Sequence, residues 1–257
     1  MTRATVSVAR AVARRSLIHA FTNPALLIPS IIFPLIFLVS FAGGLSAVRD
    51  VPGFDFHGNY TAFQFVFVFL QSAAFGGVFT GFGIAADFES GFARRMLLAS
   101  PHRSGLLLGY GFAGIVRWIV TAVMVSVASL LAGMTVYGNG IELLGLVGVG
   151  LLVNVTATLF GAGVSLRAKT LQAGPLMQIP IFTGLFLAPV YVPLNLLTGW
   201  INTVASYNPV TALMTAGRGF LSGVPDKSAL AFACGAGLVA LMVIYALRGL
   251  RRVERGL

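Results

Sequence analysis

The sequence of 257 residues predicts an all-α polytopic membrane protein with six transmembrane helices, and three observations carry that expectation. The chain is 57% hydrophobic and only 9% charged, where a soluble domain carries about 25% charged residues. Its mean hydropathy is +0.92. The charges divide it into uncharged stretches at 21–48, 56–86, 118–141, 143–166, 170–217 and 228–247, each able to supply the roughly 20 residues that cross a hydrocarbon core. The cations fall overwhelmingly on one side of those stretches. A closed barrel also satisfies its backbone in lipid, but it would show alternating strands of about ten residues in place of continuous apolar runs.

Taken in order, residues 2–22 precede the first span and read as a helix lying on the cytoplasmic surface, with Arg3, Arg10 and Arg14 on one side of it. Asn23 and Pro24 break the chain before it enters the membrane. Spans are expected near 25–46, 60–86, 106–136, 143–166, 172–191 and 228–248. The first apolar run is longer than the roughly 7–15 residues of a signal-peptide core, so an uncleaved span is expected there. The connection YGNGIE is a tight turn that makes spans three and four antiparallel neighbours. Small-residue spacings such as Gly77 with Gly81 and Gly105 with Gly109 permit close helix approach. Four Phe residues at 63, 65, 67 and 69 give the second span a packing surface or a lipid-facing one.

The fifth span is interrupted by Pro175, Pro180, Pro189 and Pro193. Irregular backbone at membrane depth persists only where protein or a water-filled cavity satisfies it. The segment 192–227 therefore reads as a re-entrant external hairpin, the alternative being a plain loop outside the membrane. Pro193, Trp200, Asn208 and Pro209 are its candidate gate residues, and Tyr191, Trp200 and Tyr207 suit an interfacial belt. The chain is expected to form one transmembrane domain over 1–257.

Orientation follows from the cations, which are retained on the cytoplasmic side. With the N-terminus inside, cytoplasmic segments hold Arg3, Arg10, Arg14, Arg15, Arg94, Arg95, Arg103, Arg167, Lys169, Arg248, Arg251, Arg252 and Arg255. External segments hold only Arg49, Arg218 and Lys227, and both termini are expected in the cytoplasm. The net charge of +10 is thus a topology and membrane-surface signal, not a nucleic-acid footprint.

The chain lacks the groupings that catalysis requires. His19, His57 and His102 lie in different segments, and the single Cys234 excludes an internal disulfide. Asp50, Asp55, Asp87, Glu89, Glu142, Asp226 and Glu254 all sit at or beyond a membrane edge, which argues against a proton-driven carrier. The run GVSLRAKT from Gly163 to Thr170 approaches a phosphate loop, but Ala168 replaces its second glycine and the run ends an apolar span. No ATP site, cofactor or metal site is expected on this chain. Arg117, inside the third span, must snorkel to the headgroups, face water or pair, for instance with Asp87 or Glu89.

The densest charge lies in the segment 87–105, which contains DFESGFARRMLLASPHR and separates two apolar runs. A short charged element on the cytoplasmic side, between two spans, is where a soluble partner can act on the helices. This segment resembles the E-x-G-x-x-R-x-L-x-x-P-x-x-R-x-x-x-L-L-G pattern of type 2 ABC transporter permeases, particularly their drug-resistance exporters. Glu89, Gly91, Leu97, Pro101, Arg103, Leu107, Leu108 and Gly109 match it in order, with Arg94 or Arg95 at the basic position. Ser206 to Thr211, followed by Arg218 and Leu221, is similar to the N-P-[LV]-T and R-x-x-L elements of the same family. Phe92 and Ala93 depart from it, standing where many relatives carry polar residues.

The resemblance implies a permease subunit in a bacterial inner membrane that pairs with a second permease chain and contacts membrane lipid. A separate ABC ATPase on the cytoplasmic side would bind ATP and Mg and drive export of a hydrophobic or amphipathic compound. Asp87, Glu89, Gly91, Arg94, Arg95, Pro101 and Arg103 would form the ATPase-coupling element. A stand-alone secondary carrier or channel, or a membrane anchor without transport, are the other readings.

Overall fold

The computed structural model describes residues 3–99 and 104–255, and among them every regular element is helical. Ten α-helices run in order: α1 Arg3–Thr22, α2 Pro24–Gly44, α3 Tyr60–Glu89, α4 Phe92–Ala99, α5 Ser104–Leu131, α6 Gly140–Ala168, α7 Gly174–Phe186, α8 Gly199–Tyr207, α9 Pro209–Ser222 and α10 Ser228–Glu254. Of these, α3, α5, α6 and α10 are long and apolar enough to cross a membrane, with a shorter apolar run at Ile28–Gly44 in α2.

Local chemistry sets several boundaries. Asn59 starts α3 by accepting a hydrogen bond from Ala62 N–H. Asn139 and Glu142 form a capping box that starts α6. The third apolar run was expected to continue to 136, but α5 stops at Leu131. Gly133 there adopts φ +82°, and Met134 N–H returns to Ser129 O in a Schellman closure.

The fifth apolar run departs furthest from a single span over 172–191. A 3₁₀ turn at Leu171–Ala173 leads into α7, whose 13 residues end at Phe186. At 1.5 Å per residue α7 is about 20 Å long, short of a core of about 30 Å. Pro189 cannot extend the helix and disfavours helical backbone in the residue before it. The following stretch folds as a 3₁₀ turn at Leu194–Leu196, then α8 and α9.

α3 is the shaft of the bundle: 94% of its apolar window is buried, against 39%, 33% and 17% for those of α5, α6 and α10. That burial explains the Phe run. Phe63, Phe65, Phe67 and Phe69 point in different directions on a helix, and all four are buried because α3 has neighbours on every side. Trp118 of α5 packs edge-on against Phe69, and Phe67 meets Phe37 of α2 and Phe186 of α7.

The two glycine spacings are true helix contacts. A Cβ on Gly77 would lie 2.6 Å from the Cβ of Ala157, and one on Gly81 would lie 2.9 Å from the Cα of Gly161, so α3 and α6 touch through backbone. A Cβ on Gly105 would meet Thr5 O at 2.9 Å, and one on Gly109 would meet Ala9 O at 2.7 Å. α1 therefore lies directly along the start of α5. Gly77→Val should destabilise the protein by about 1–3 kcal/mol or more through overpacking. Gly83→Ala, whose Cβ meets nothing within 4 Å, should behave as wild type. Thermal unfolding of the detergent-extracted variants, read side by side, checks this contrast.

Candidate functional site

The sequence places seven candidate coupling residues in one segment, and the structure describes five of them: Asp87, Glu89, Gly91, Arg94 and Arg95. Pro101 and Arg103 lie outside the described residues. Asp87 sits in the last turn of α3 and is buried. Its carboxylate accepts a fork from Arg15 of α1, Nη1 to Oδ2 at 2.8 Å and Nη2 to Oδ1 at 2.8 Å. Tyr110 of α5 donates its hydroxyl to Oδ2 at 2.5 Å. The Arg15 guanidinium also lies 3.7 Å from the centre of the Phe92 ring at the start of α4. One carboxylate thus joins α1, α3 and α5 directly and α4 through a cation–π contact. The hydrogen bonding of Arg15 to Asp87 is the main reason the Arg15 pKa is raised above its ordinary value.

Glu89 ends α3 and is exposed, and it reaches sideways. Its Oε1 accepts from Thr170 Oγ1 at 2.7 Å and from Leu171 N–H at 2.8 Å, in the turn that follows α6. Lys169, at φ 57°, ends α6 just before that turn. Gly91 adopts φ +71°, a left-handed conformation that turns the chain from α3 into α4. On α4, Ala93 and Leu97 are buried one turn apart, while Arg94, Arg95 and Leu98 face outward. The buried face joins Ile84, Leu106, Tyr110, Leu166 and Leu250 in a second hydrophobic cluster. α4 is therefore a short amphipathic helix laid across the ends of α3, α5, α6 and α10, with two arginines free to meet a partner.

Arg117 corrects the expectation of a carboxylate partner or a snorkelling route. Asp87 is taken by Arg15 and Glu89 by the turn after α6. Arg117 is buried at 6% exposure, and its Nη2 donates 2.6 Å bonds to Gly76 O and Thr80 Oγ1 of α3. Gly76, with no side chain to cover its carbonyl, offers the acceptor.

Arg218, in the segment read as the external re-entrant hairpin, is buried inside α9. It donates to Phe63 O at 3.3 Å, Pro189 O at 2.7 Å and Val190 O at 3.1 Å, and its guanidinium stacks 3.4 Å from the Phe63 ring centre. The proline-broken backbone after α7 thus finds its donors in a side chain.

The four candidate gate residues do not converge. Pro193 precedes the 3₁₀ turn and Trp200 is 72% exposed on α8. Asn208 caps α9, which has Pro209 at its first position, and donates to Gly184 O at 2.7 Å, linking α9 to α7. Among the described residues no three His, Cys, Asp or Glu side chains stand together to hold a metal.

Sequence reasoning missed Arg15, Thr170 and the role of Arg218. The usable signal for Arg15 was Asp87 itself, a carboxylate at the end of a long apolar helix that required a cation. A double-mutant cycle of Arg15→Ala and Asp87→Ala should give a coupling of about 1–3 kcal/mol in unfolding free energy, as for charge-assisted hydrogen bonds on a half-exposed pair. A coupling near zero would show the two side chains to be independent.

The model of the family described as ABC-2 type transporter matches residues 8–221. The chain is 25% identical over 234 residues to a daunorubicin resistance ABC transporter permease protein of Streptomyces coeruleorubidus, covering 88% of this chain and 79% of that one. It is 25% identical over 203 residues to the ycf38 transport permease of Porphyra purpurea, covering 78% and 69%, and 25% identical over 222 residues to that of Pyropia yezoensis, covering 84% and 74%. A family match that runs from α1 into α9, on an all-helical bundle with four apolar helices of spanning length, places this chain in the ABC-2 type transporter family as a membrane-embedded transport permease.

Proposed function

We propose that this permease is the membrane subunit of an ATP-driven exporter, energised by a separate ABC ATPase that docks on α4. The observation that carries this reading is the pairing of an exposed Arg94, Arg95 and Leu98 face on α4 with a buried Asp87 node that reaches the start of α4 through Arg15 and Phe92. A soluble subunit that pushes on α4 acts through Phe92 on Arg15, and through Arg15 on the carboxylate held by α3 and by Tyr110 of α5. The four elements then tilt together, and the short connections through Gly91 and Glu89 pass the movement to α6. ATP and Mg reside on the ATPase, and this chain binds neither.

In this reading α2, α3, α5, α6, α10 and the α7 region make six crossings, with both termini cytoplasmic in a bacterial inner membrane. α1 lies on the cytoplasmic surface, and 192–227 forms the external re-entrant hairpin. α3 connects the two faces: from Asp87 to Phe63 is 24 residues, about 36 Å of helix. At the far end Arg218 holds both Phe63 and the chain at Pro189 and Val190, so tilting α3 moves the external segment. The working unit is a pair of permease chains. Its cargo is a hydrophobic or amphipathic compound moved outward, a class supported by the similarity to a daunorubicin resistance permease.

The test is co-purification in mild detergent with a candidate soluble ABC ATPase co-expressed with this chain. The double substitution Arg94→Glu with Arg95→Glu should reduce recovery of the ATPase at least tenfold at unchanged permease yield. Asp87→Asn should retain the ATPase and lose most cargo-stimulated ATP hydrolysis. Cargo movement by the permease alone in liposomes, abolished by collapse of a proton or sodium gradient, would instead establish a secondary carrier.

A further inference from the structure

α5 and α10 both pack on α6 and leave between them a trough of about 500 Å³, floored by Val155, Leu159 and Ala162 of α6. Leu108, Phe112 and Leu247 on its rims are 46%, 60% and 40% exposed, so the trough opens on the outer surface of the bundle. Along α5 it runs from Ser104 to Ile115, about 16 Å of helix, close to half of a hydrocarbon core of about 30 Å. It therefore starts at the arginine-rich end and stops near the membrane midplane, the depth of one leaflet.

The trough is lined mostly by apolar side chains and opens sideways along its length, so a flexible, unbranched hydrocarbon chain can lie in it. Beyond Leu247, α10 continues for one more turn to Arg251, with Arg248 and Arg252 beside it, and all three are exposed. Residues four apart share a helix face, so Arg251 stands over the mouth of the trough at headgroup level.

We infer that this trough binds one acyl chain of an anionic phospholipid from the arginine-rich leaflet, with the phosphate headgroup held by Arg251. The apolar walls exclude the headgroup from the trough, and the guanidinium favours a headgroup with net negative charge. The site borders the Asp87 node at Tyr110 but involves none of the outer face of α4, so lipid binding does not require the ATPase.

Gly111 provides a direct probe, because it lines the trough and a Cβ added there meets nothing within 4 Å. The purified permease, equilibrated with equal phosphatidylglycerol and phosphatidylcholine, is examined by native mass spectrometry. Wild type should retain one lipid per chain with phosphatidylglycerol preferred. Gly111→Phe should lose that lipid. Arg251→Ala, a change at an exposed side chain, should retain a lipid but lower the phosphatidylglycerol preference about fivefold, the factor that about 1 kcal/mol per interfacial arginine corresponds to. Unchanged lipid stoichiometry in Gly111→Phe together with unchanged preference in Arg251→Ala would overturn the assignment. So would loss of chain pairing in Gly111→Phe at constant lipid content, which would give the trough to a second copy of the chain.

Discussion

A helix buried on every side in a membrane has no water to satisfy whatever polar atoms it exposes, and α3 is that helix here. Its carbonyls are the acceptors around which the bundle is arranged. Asn154 of α6 donates to Ala73 O, Arg117 of α5 to Gly76 O, Ser165 of α6 to Gly81 O and Arg218 of α9 to Phe63 O. Two of these four carbonyls belong to glycines, which leave the backbone accessible and let the neighbouring helix come close. Small residues and polar side chains therefore serve the same end, fixing α5, α6 and α9 to the shaft at defined heights.

The two ends of α3 are held differently. At the Asp87 end the hold is ionic and shared, with Arg15 and Tyr110 meeting at one carboxylate and the ring of Phe92 lying against Arg15. At the Phe63 end it is a set of hydrogen bonds to carbonyls, with the Arg218 guanidinium spread over three of them and Tyr60 and Gln64 of α3 donating to Tyr191 O and Val190 O. The first arrangement joins four chain segments at the surface where a soluble partner could press. The second joins α3 to the one stretch of chain whose backbone is broken by proline. A shaft held in this way transmits tilt more readily than it bends, because interior packing resists deformation.

Much of the bundle was legible in the sequence because length and apolarity suffice to mark a spanning helix. The expected spans at 60–86, 143–166 and 228–248 lie within α3, α6 and α10. What apolarity does not reveal is which helix is central, since lipid and protein neighbours are equally oily. The Phe run of α3 could not distinguish them. Arg117 misled because side-chain patterns suggest side-chain partners, whereas its main acceptors include a glycine carbonyl. What the charge pattern did not show at Arg218 is its acceptors, since the carbonyls of Phe63, Pro189 and Val190 lie far from it in sequence and are exposed to it by packing and by the prolines. The charged segment between α3 and α5 was readable from charge density, and its anchor on α1 was not, since α1 has only a weakly apolar face.

The central claim is that α4, α1 and the end of α3 move as one body through Asp87. Distance measurements between spin labels test it, with one label at Leu98 of α4 and the other at Val6 of α1 or Tyr207 of α8, positions that are 62%, 50% and 87% exposed. The measurements are made on the complex with its ATPase, with and without ATP, in a Cys234→Ser background. The account predicts that ATP leaves the Leu98 to Val6 distance unchanged and shifts the Leu98 to Tyr207 distance, and that Asp87→Ala frees the first distance to change. A Leu98 to Val6 distance that changes with ATP while Asp87 is intact would contradict it.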